Sequence, residues 1–210
     1  MTVVLASGVL AIVRLREHEP CDAMFDALAA ADVDAIEVTL PTPGSVAAVR
    51  RWVGRTSAAV GVGTVRTGDD AAVAMDAGAQ FLVAPTLASD VVAAGVERAV
   101  PVVCGALSPT EIDDAWQQGA TAVKVFPVGA VGGPAYVRAV QEPLDDVPLL
   151  PTGGVTLESA QEYARLGCVG IGVGGALVSE PVVADRHWSE LTARAGRLVA
   201  AWRTGVSERA

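Results

Sequence analysis

Eight short apolar runs punctuate the chain at 9–13, 35–40, 59–62, 81–84, 100–104, 122–126, 147–150 and 169–173. They recur every 20 to 26 residues or so, about the length of a βα unit, because a parallel neighbour requires a crossover helix. Helix signals fill the gaps. Thr67-Gly-Asp-Asp opens one helix with acids in its first turn, and Ser108-Pro-Thr-Glu111 combines a cap, a first-turn proline and a capping-box acid. Thr156-Leu-Glu-Ser opens another, and Gly78, Gly119 and Gly167 stop helices shortly before the next apolar run. Eight such units with no strand-rich insertion predict an α/β chain closed into a single (β/α)8 TIM barrel, with a doubly wound sheet as the structural rival.

At 210 residues the chain suits one barrel domain over 1–210. A short lead-in at 1–8 precedes the first strand, and a helix over about 185–204 covers the barrel's outside with Trp188, Leu191, Leu198, Val199 and Trp202. The net charge of −9 argues against a nucleic-acid surface, which needs clustered cations. Cys21, Cys104 and Cys168 are odd in number and far apart, which fits a reducing cytoplasm better than a disulfide framework. The apolar start lacks the basic residues and processing site of a signal peptide and is too short to span a bilayer, so neither export nor a membrane is expected.

Of fifteen lysine and arginine residues only Lys124 is a lysine, leaving fourteen arginines. A surface cation can be either residue, but an amine nucleophile cannot be arginine, whose guanidinium stays protonated. Lys124 sits inside the sixth run, where Val123 and Val125 face one side and Ala122, Lys124 and Phe126 the other. In a barrel the valines pack on helices, which turns Lys124 into the lumen. An ordinary lysine needs about 4.6 kcal/mol to lose its proton at pH 7, and desolvation or a nearby cation supplies part of that. A structural ion pair, or a lysine snorkelling from a strand end, is the plainer alternative.

Glu37 has the same character, a lone acid within the second run with Ile36 and Val38 facing the other way. Beside Lys124 it can shuttle protons, or simply hold the lysine. The turns Pro151-Thr-Gly-Gly-Val and Gly172-Val-Gly-Gly-Ala follow the seventh and eighth runs, where barrels often bind phosphate on bare backbone; glycine also serves tight turns. Thr152, Gly153, Gly154, Gly174 and Gly175 are the candidates there. Arg14 closes the first run, either to meet an anion or as a surface arginine, and Thr64 and Pro85 end the third and fourth. His18 and His187 stand apart from other ligand types, so no metal is expected.

Read in order, Ile-Glu-Val-Thr-Leu (36–40), Gly-Val-Gly-Thr-Val (61–65), Val-Ala-Pro-Thr (83–86), Val-Lys-Val-Phe-Pro (123–127), Pro-Thr-Gly-Gly-Val (151–155) and Gly-Val-Gly-Gly-Ala-Leu-Val (172–178) resemble one family. It is that of the 2-keto-3-deoxy-6-phosphogluconate (KDPG), 4-hydroxy-2-oxoglutarate and 2-keto-3-deoxy-6-phosphogalactonate (KDPGal) aldolases. The resemblance implies a cofactor-free class I aldolase, commonly a homotrimer, acting on a small 2-oxo acid. It assigns the Schiff-base lysine to Lys124, the general acid/base to Glu37, the substrate carboxylate to Arg14 and Thr64, the substrate pocket to Pro85 and Phe126, and the phosphate cradle to the glycine turns. Two positions depart from the gluconate-type pattern: Pro41 stands where an arginine often follows E-V-T-L, and Gly175 where a serine often lines the phosphate loop. These departures leave open an unphosphorylated substrate such as 4-hydroxy-2-oxoglutarate. On the residues alone, a phosphosugar epimerase or isomerase using the same turns without a covalent lysine is the rival enzyme, and a non-catalytic binding barrel the rival of another class.

Overall fold

The computed structural model describes residues 5–55 and 57–209; the first half of the expected lead-in, residues 1–4, lies outside the described residues. Strands β1 (Val9–Val13), β2 (Ala35–Thr39), β3 (Ala59–Gly63) and β4 (Leu82–Val83) alternate with helices α1 (Asp22–Ala29), α2 (Ser45–Trp52), α3 (Gly68–Asp76) and α4 (Ser89–Glu97). The second half continues with β5 (Val102–Ala106), β6 (Ala122–Val125), β7 (Leu149–Pro151) and β8 (Ile171–Val173). Its helices are α5 (Pro109–Gln117), α6 (Pro134–Gln141), α7 (Leu157–Arg165), α8 (Glu180–Ala184) and α9 (Trp188–Arg209). All eight apolar runs overlap a strand.

The strands pair in parallel in the order β7-β6-β5-β4-β3-β2-β1-β8. The ring closes between β7 and β8 through a parallel bridge from Thr152 to Gly172, and through the Val169 N–H donating to the Leu149 carbonyl at 3.0 Å. A single (β/α)8 barrel results, and the doubly wound alternative, which leaves two open edges, is excluded.

Alternation along each strand sorts side chains into two cores. Outward residues such as Val9, Ile36, Val60, Val123 and Leu149 pack with the helices in the larger one. Inward residues Leu10, Ile12, Ala35, Phe81, Val83, Val103, Ala122 and Leu150 form a separate apolar plug inside the barrel. The caps behave as their chemistry dictates: the Ser108 and Thr156 hydroxyls each accept the N–H three residues on in reciprocal capping boxes, and Thr67 accepts from the Asp70 N–H.

The last helix runs to Arg209, past the stretch over which its apolar stripe is legible. Close packing explains the extension: a Cβ on Gly205 would fall 2.1 Å from the Gln161 carbonyl of α7, so only glycine lets the two helices approach this far. Leu191, Leu198, Val199 and Trp202 are buried beneath α9. Trp202 lies directly over Gly8, where a Cβ would come within 2.1 Å of the indole. Trp202→Ala opens a large cavity at the start of β1 and is expected to cost about 3–5 kcal/mol, read as a lower midpoint in denaturant unfolding. A loss under 1 kcal/mol would show that this contact does not anchor α9.

Candidate active site

The inward positions of β2 and β6 place Glu37 and Lys124 across the lumen, directly above the apolar plug. Glu37 is fully buried and Lys124 is 3% exposed. Their Nζ and Oε2 atoms lie 3.8 Å apart, close enough to attract but beyond a direct hydrogen bond. Among the described residues neither Glu37 carboxylate oxygen has a hydrogen-bond partner. The neighbouring strand makes room for this acid, because a Cβ at Gly63 would sit 1.7 Å from Glu37 Oε1.

Magnitudes decide the electrostatics. An attraction across 3.8 Å at an effective dielectric near 20 is worth about 4 kcal/mol. Removing water costs several kcal/mol for each ion, and no hydrogen bond to the carboxylate offsets it. Burial therefore wins and raises the Glu37 pKa above its ordinary 4.5, against the opposing charges of Lys124 and then Arg14. The sign carries to stability: a carboxyl raised on folding stabilises the fold at low pH and loses that contribution as pH rises through its midpoint.

Above the pair, a cavity of about 240 Å³ opens at the C-terminal ends of the strands. Ile12 and Arg14 of β1 and its loop, Lys124 of β6, Phe126 just after it, and Thr152 line one part of it. The rest is largely main chain, from Gly153, Gly154, Gly172, Gly174 and Gly175, with Val155, Val173 and Ala176. Gly153 and Gly154 both have left-handed φ, +87° and +78°, and a Cβ on Gly154 would press the Gly129 Cα at 3.2 Å. That approach keeps the turn after β7 bare of side chains. At Gly175 a Cβ would meet nothing within 4 Å, so this wall is open rather than tight.

The remaining candidates take distinct places. Phe126 is 36% exposed, with the Lys124 ammonium 5.7 Å from its ring centre. Arg14 is exposed, and its guanidinium donates to the Thr64 hydroxyl at 3.3 Å. Thr64 itself has φ +58°, a strained backbone for a β-branched residue, and stands outside the lining, reached through Arg14. The Thr152 hydroxyl is turned down to the Leu150 carbonyl at 3.3 Å and fits into the space left by Gly172. Pro85 stands outside the lining, its main chain packed against Gly105.

Three features escaped the sequence reading. Ile12 lines the cavity two residues before Arg14, a position that strand alternation makes discoverable. Glu180, at the start of α8, holds the loop after β1: its carboxylate accepts from the Arg16 N–H, from the Glu17 N–H at 3.2 Å and contacts His18 Nδ1 at 2.7 Å. Those hydrogen bonds, the Arg16 N–H foremost, keep its pKa below the usual glutamate value. Thr39 at the end of β2 and Thr42 in the loop after it form a buried hydroxyl pair at 2.9 Å, and Thr42 also bonds to the main chain of Val13 and Leu15. No local signature marks either contact.

A desolvated amine and acid inside a (β/α)8 barrel, under a glycine-walled cavity at the strands' C-terminal ends, define a barrel enzyme site equipped for covalent amine chemistry. Residues 2–194 match the family model for KDPG and KHG aldolases. A 2-dehydro-3-deoxy-phosphogluconate aldolase from Pseudomonas aeruginosa is 35% identical over 170 residues, 80% of this chain and 77% of that protein. The native KDPGal structure superposes with a TM-score of 0.84 at 31% identity, covering 95% of this chain and 96% of that one. A KDPG aldolase from Legionella pneumophila, solved with pyruvate captured as a covalent carbinolamine, superposes with a TM-score of 0.83 at 25% identity, covering 93% and 96%. The chain belongs to the KDPG and KHG aldolase family, a family of carbon–carbon lyases.

The electrostatic account predicts a carboxyl midpoint for Glu37 above 4.5 in a site-resolved NMR titration. Lys124→Met should move it further up, because the variant removes the nearest opposing charge. A midpoint at or below 4.5 would contradict the dominance of burial.

Proposed function

We propose that this chain is a class I aldolase that cleaves a 2-keto-3-deoxy-6-phospho sugar acid, of the gluconate or galactonate type, into pyruvate and glyceraldehyde 3-phosphate. The observation that carries the reading is the placement of the sole lysine, buried in the lumen 3.8 Å from an acid that has no other partner among the described residues. Such an acid is free to exchange protons with a substrate bound to the amine.

In this reading Lys124 attacks C2 of the 2-oxo acid as a free amine and forms a carbinolamine. Glu37 protonates the departing hydroxyl, and loss of water leaves a protonated imine. The Glu37 carboxylate then takes the proton of the C4 hydroxyl. The C3–C4 bond breaks, its electron pair flows into the iminium to give an enamine, and the aldehyde leaves. Protonation at C3 and hydrolysis release pyruvate and restore the amine. Arg14, steadied by Thr64, pairs with the substrate carboxylate, and Phe126 covers the imine. The backbone of Gly153, Gly154, Gly174 and Gly175 receives the phosphate without adding charge.

A second reading is favoured by the lining itself. Arg14 and Lys124 are the charged side chains among the lining residues, so no separate side-chain cation faces a phosphate. An unphosphorylated 2-oxo acid such as 4-hydroxy-2-oxoglutarate would need none. Rates of pyruvate release from gluconate-type, galactonate-type and unphosphorylated substrates decide between the two: a phosphorylated substrate preferred by tenfold or more in kcat/KM supports the first, and equal or reversed preference the second.

Lys124→Arg should abolish pyruvate release while preserving the fold, whereas wild-type-like turnover would exclude the covalent mechanism. Glu37→Gln should lower kcat by about 10²- to 10⁴-fold. Because burial raises the Glu37 pKa in the free protein, the acidic limb of the wild-type kcat/KM profile should lie above 4.5, falling as pH drops through that midpoint. Persistence of the same limb in Glu37→Gln would assign it to another group.

A further inference from the structure

The Thr42 hydroxyl makes two of its three hydrogen bonds around one residue. It donates to the Val13 carbonyl at 3.3 Å and accepts the Leu15 N–H at 3.1 Å, so it grips the main chain on both sides of Arg14. Its second lone pair is left for the Thr39 hydroxyl, 2.9 Å away. Thr39 is fully buried on β2, two residues beyond Glu37 and on the same face of the strand. Thr42 is in turn held by its own backbone, whose N–H donates to the Thr39 carbonyl at 2.9 Å and whose carbonyl accepts from Ser45 at 3.1 Å.

The contrast with Arg14 itself is informative. Its long side chain is exposed and makes one hydrogen bond to a side chain, at 3.3 Å to Thr64. A guanidinium so lightly tethered keeps its aim only if its Cα is fixed. The polar contacts that fix it come from outside its own strand: Thr42 on the two flanking peptides, and Glu180 one residue further on at Arg16 and Glu17. Val13, Leu15 and Thr42 are all buried, so their bonds do not compete with solvent.

We infer that Thr42 is a positioning residue for substrate binding: its hydroxyl locks the main chain on either side of Arg14 and so fixes where the guanidinium meets the substrate carboxylate. The inference rests on the aldolase reading above and extends it to a residue outside the cavity lining. It also couples the two ends of the site, because the hydroxyl chain from Thr39 starts on the strand that carries Glu37. The effect belongs to binding rather than bond cleavage, since the Thr42 hydroxyl bonds to the main chain beside Arg14 and to Thr39, and neither threonine bonds to the Glu37 carboxylate.

Steady-state kinetics on wild type, Thr42→Val, Thr42→Ser, Arg14→Ala and the Arg14→Ala/Thr42→Val double variant test it, with pyruvate as competitive product inhibitor. Valine keeps the volume and deletes the hydroxyl. It should raise both KM and the pyruvate inhibition constant about tenfold, with kcat within about threefold of wild type, and serine should restore both constants. On the Arg14→Ala background the same change should add less than about twofold, because the group being positioned is gone. Should the valine variant not fold, Thr42→Cys, a weak donor and acceptor of similar size, carries the same expectation at smaller amplitude. Unchanged constants in a folded Thr42→Val or Thr42→Cys, or an equal effect with and without Arg14, would overturn the inference while leaving the aldolase reading intact. Wild type that releases no pyruvate from any keto-deoxy acid would remove that reading, and the inference with it.

Discussion

One desolvated pair governs this structure. A lysine and a glutamate face each other inside a barrel whose remaining lumen is packed with Leu10, Ile12, Ala35, Phe81, Val83, Val103, Ala122 and Leu150. An ion pair in such a place is a poor way to stabilise a fold, because the water lost by each charge outweighs their attraction unless hydrogen bonds complete the geometry. Here they do not: the carboxylate oxygens have no partner among the described residues, and the amine stands 3.8 Å off. The barrel tolerates the arrangement because eight strands and their covering helices bury far more apolar surface than one pair costs.

Small residues shape the space around that pair. Gly63 clears the volume that Glu37 occupies, Gly172 admits the Thr152 side chain, and Gly61 accepts the Phe81 ring that floors the lumen. The floor keeps water from entering below the amine, and the glycine turns after β7 and β8 leave backbone exposed above it. Depth and access are thus separated along the barrel axis, with apolar side chains beneath, two charges at mid-height and bare main chain at the mouth. Arg14 lines that mouth, on a loop held by Thr42 and Glu180.

Much of this is readable in the chain because strand alternation is a strict rule. Val123 and Val125 outward forces Lys124 inward, and Ile36 and Val38 do the same for Glu37. The eight apolar runs and the capping boxes at Ser108 and Thr156 are likewise local signals with local outcomes. What escaped was built from long-range contacts. Thr42 grips residues 27 and 29 positions earlier, and Glu180 binds peptides more than 160 positions away. Neither leaves a mark in its own neighbourhood. The extent of α9 was hidden for a related reason, since the packing of Gly205 against Gln161 depends on where α7 lies, while glycine within a helix reads locally as a stop.

The central claim is that the amine of Lys124 bonds to a ketone carbon. Borohydride reduction of the protein in the presence of pyruvate, followed by peptide mass mapping, tests it most directly. The account predicts a stable adduct confined to the peptide containing Lys124, formed only when both reagents are present. An unmodified Lys124 under those conditions would contradict it, whatever else the barrel proved able to bind.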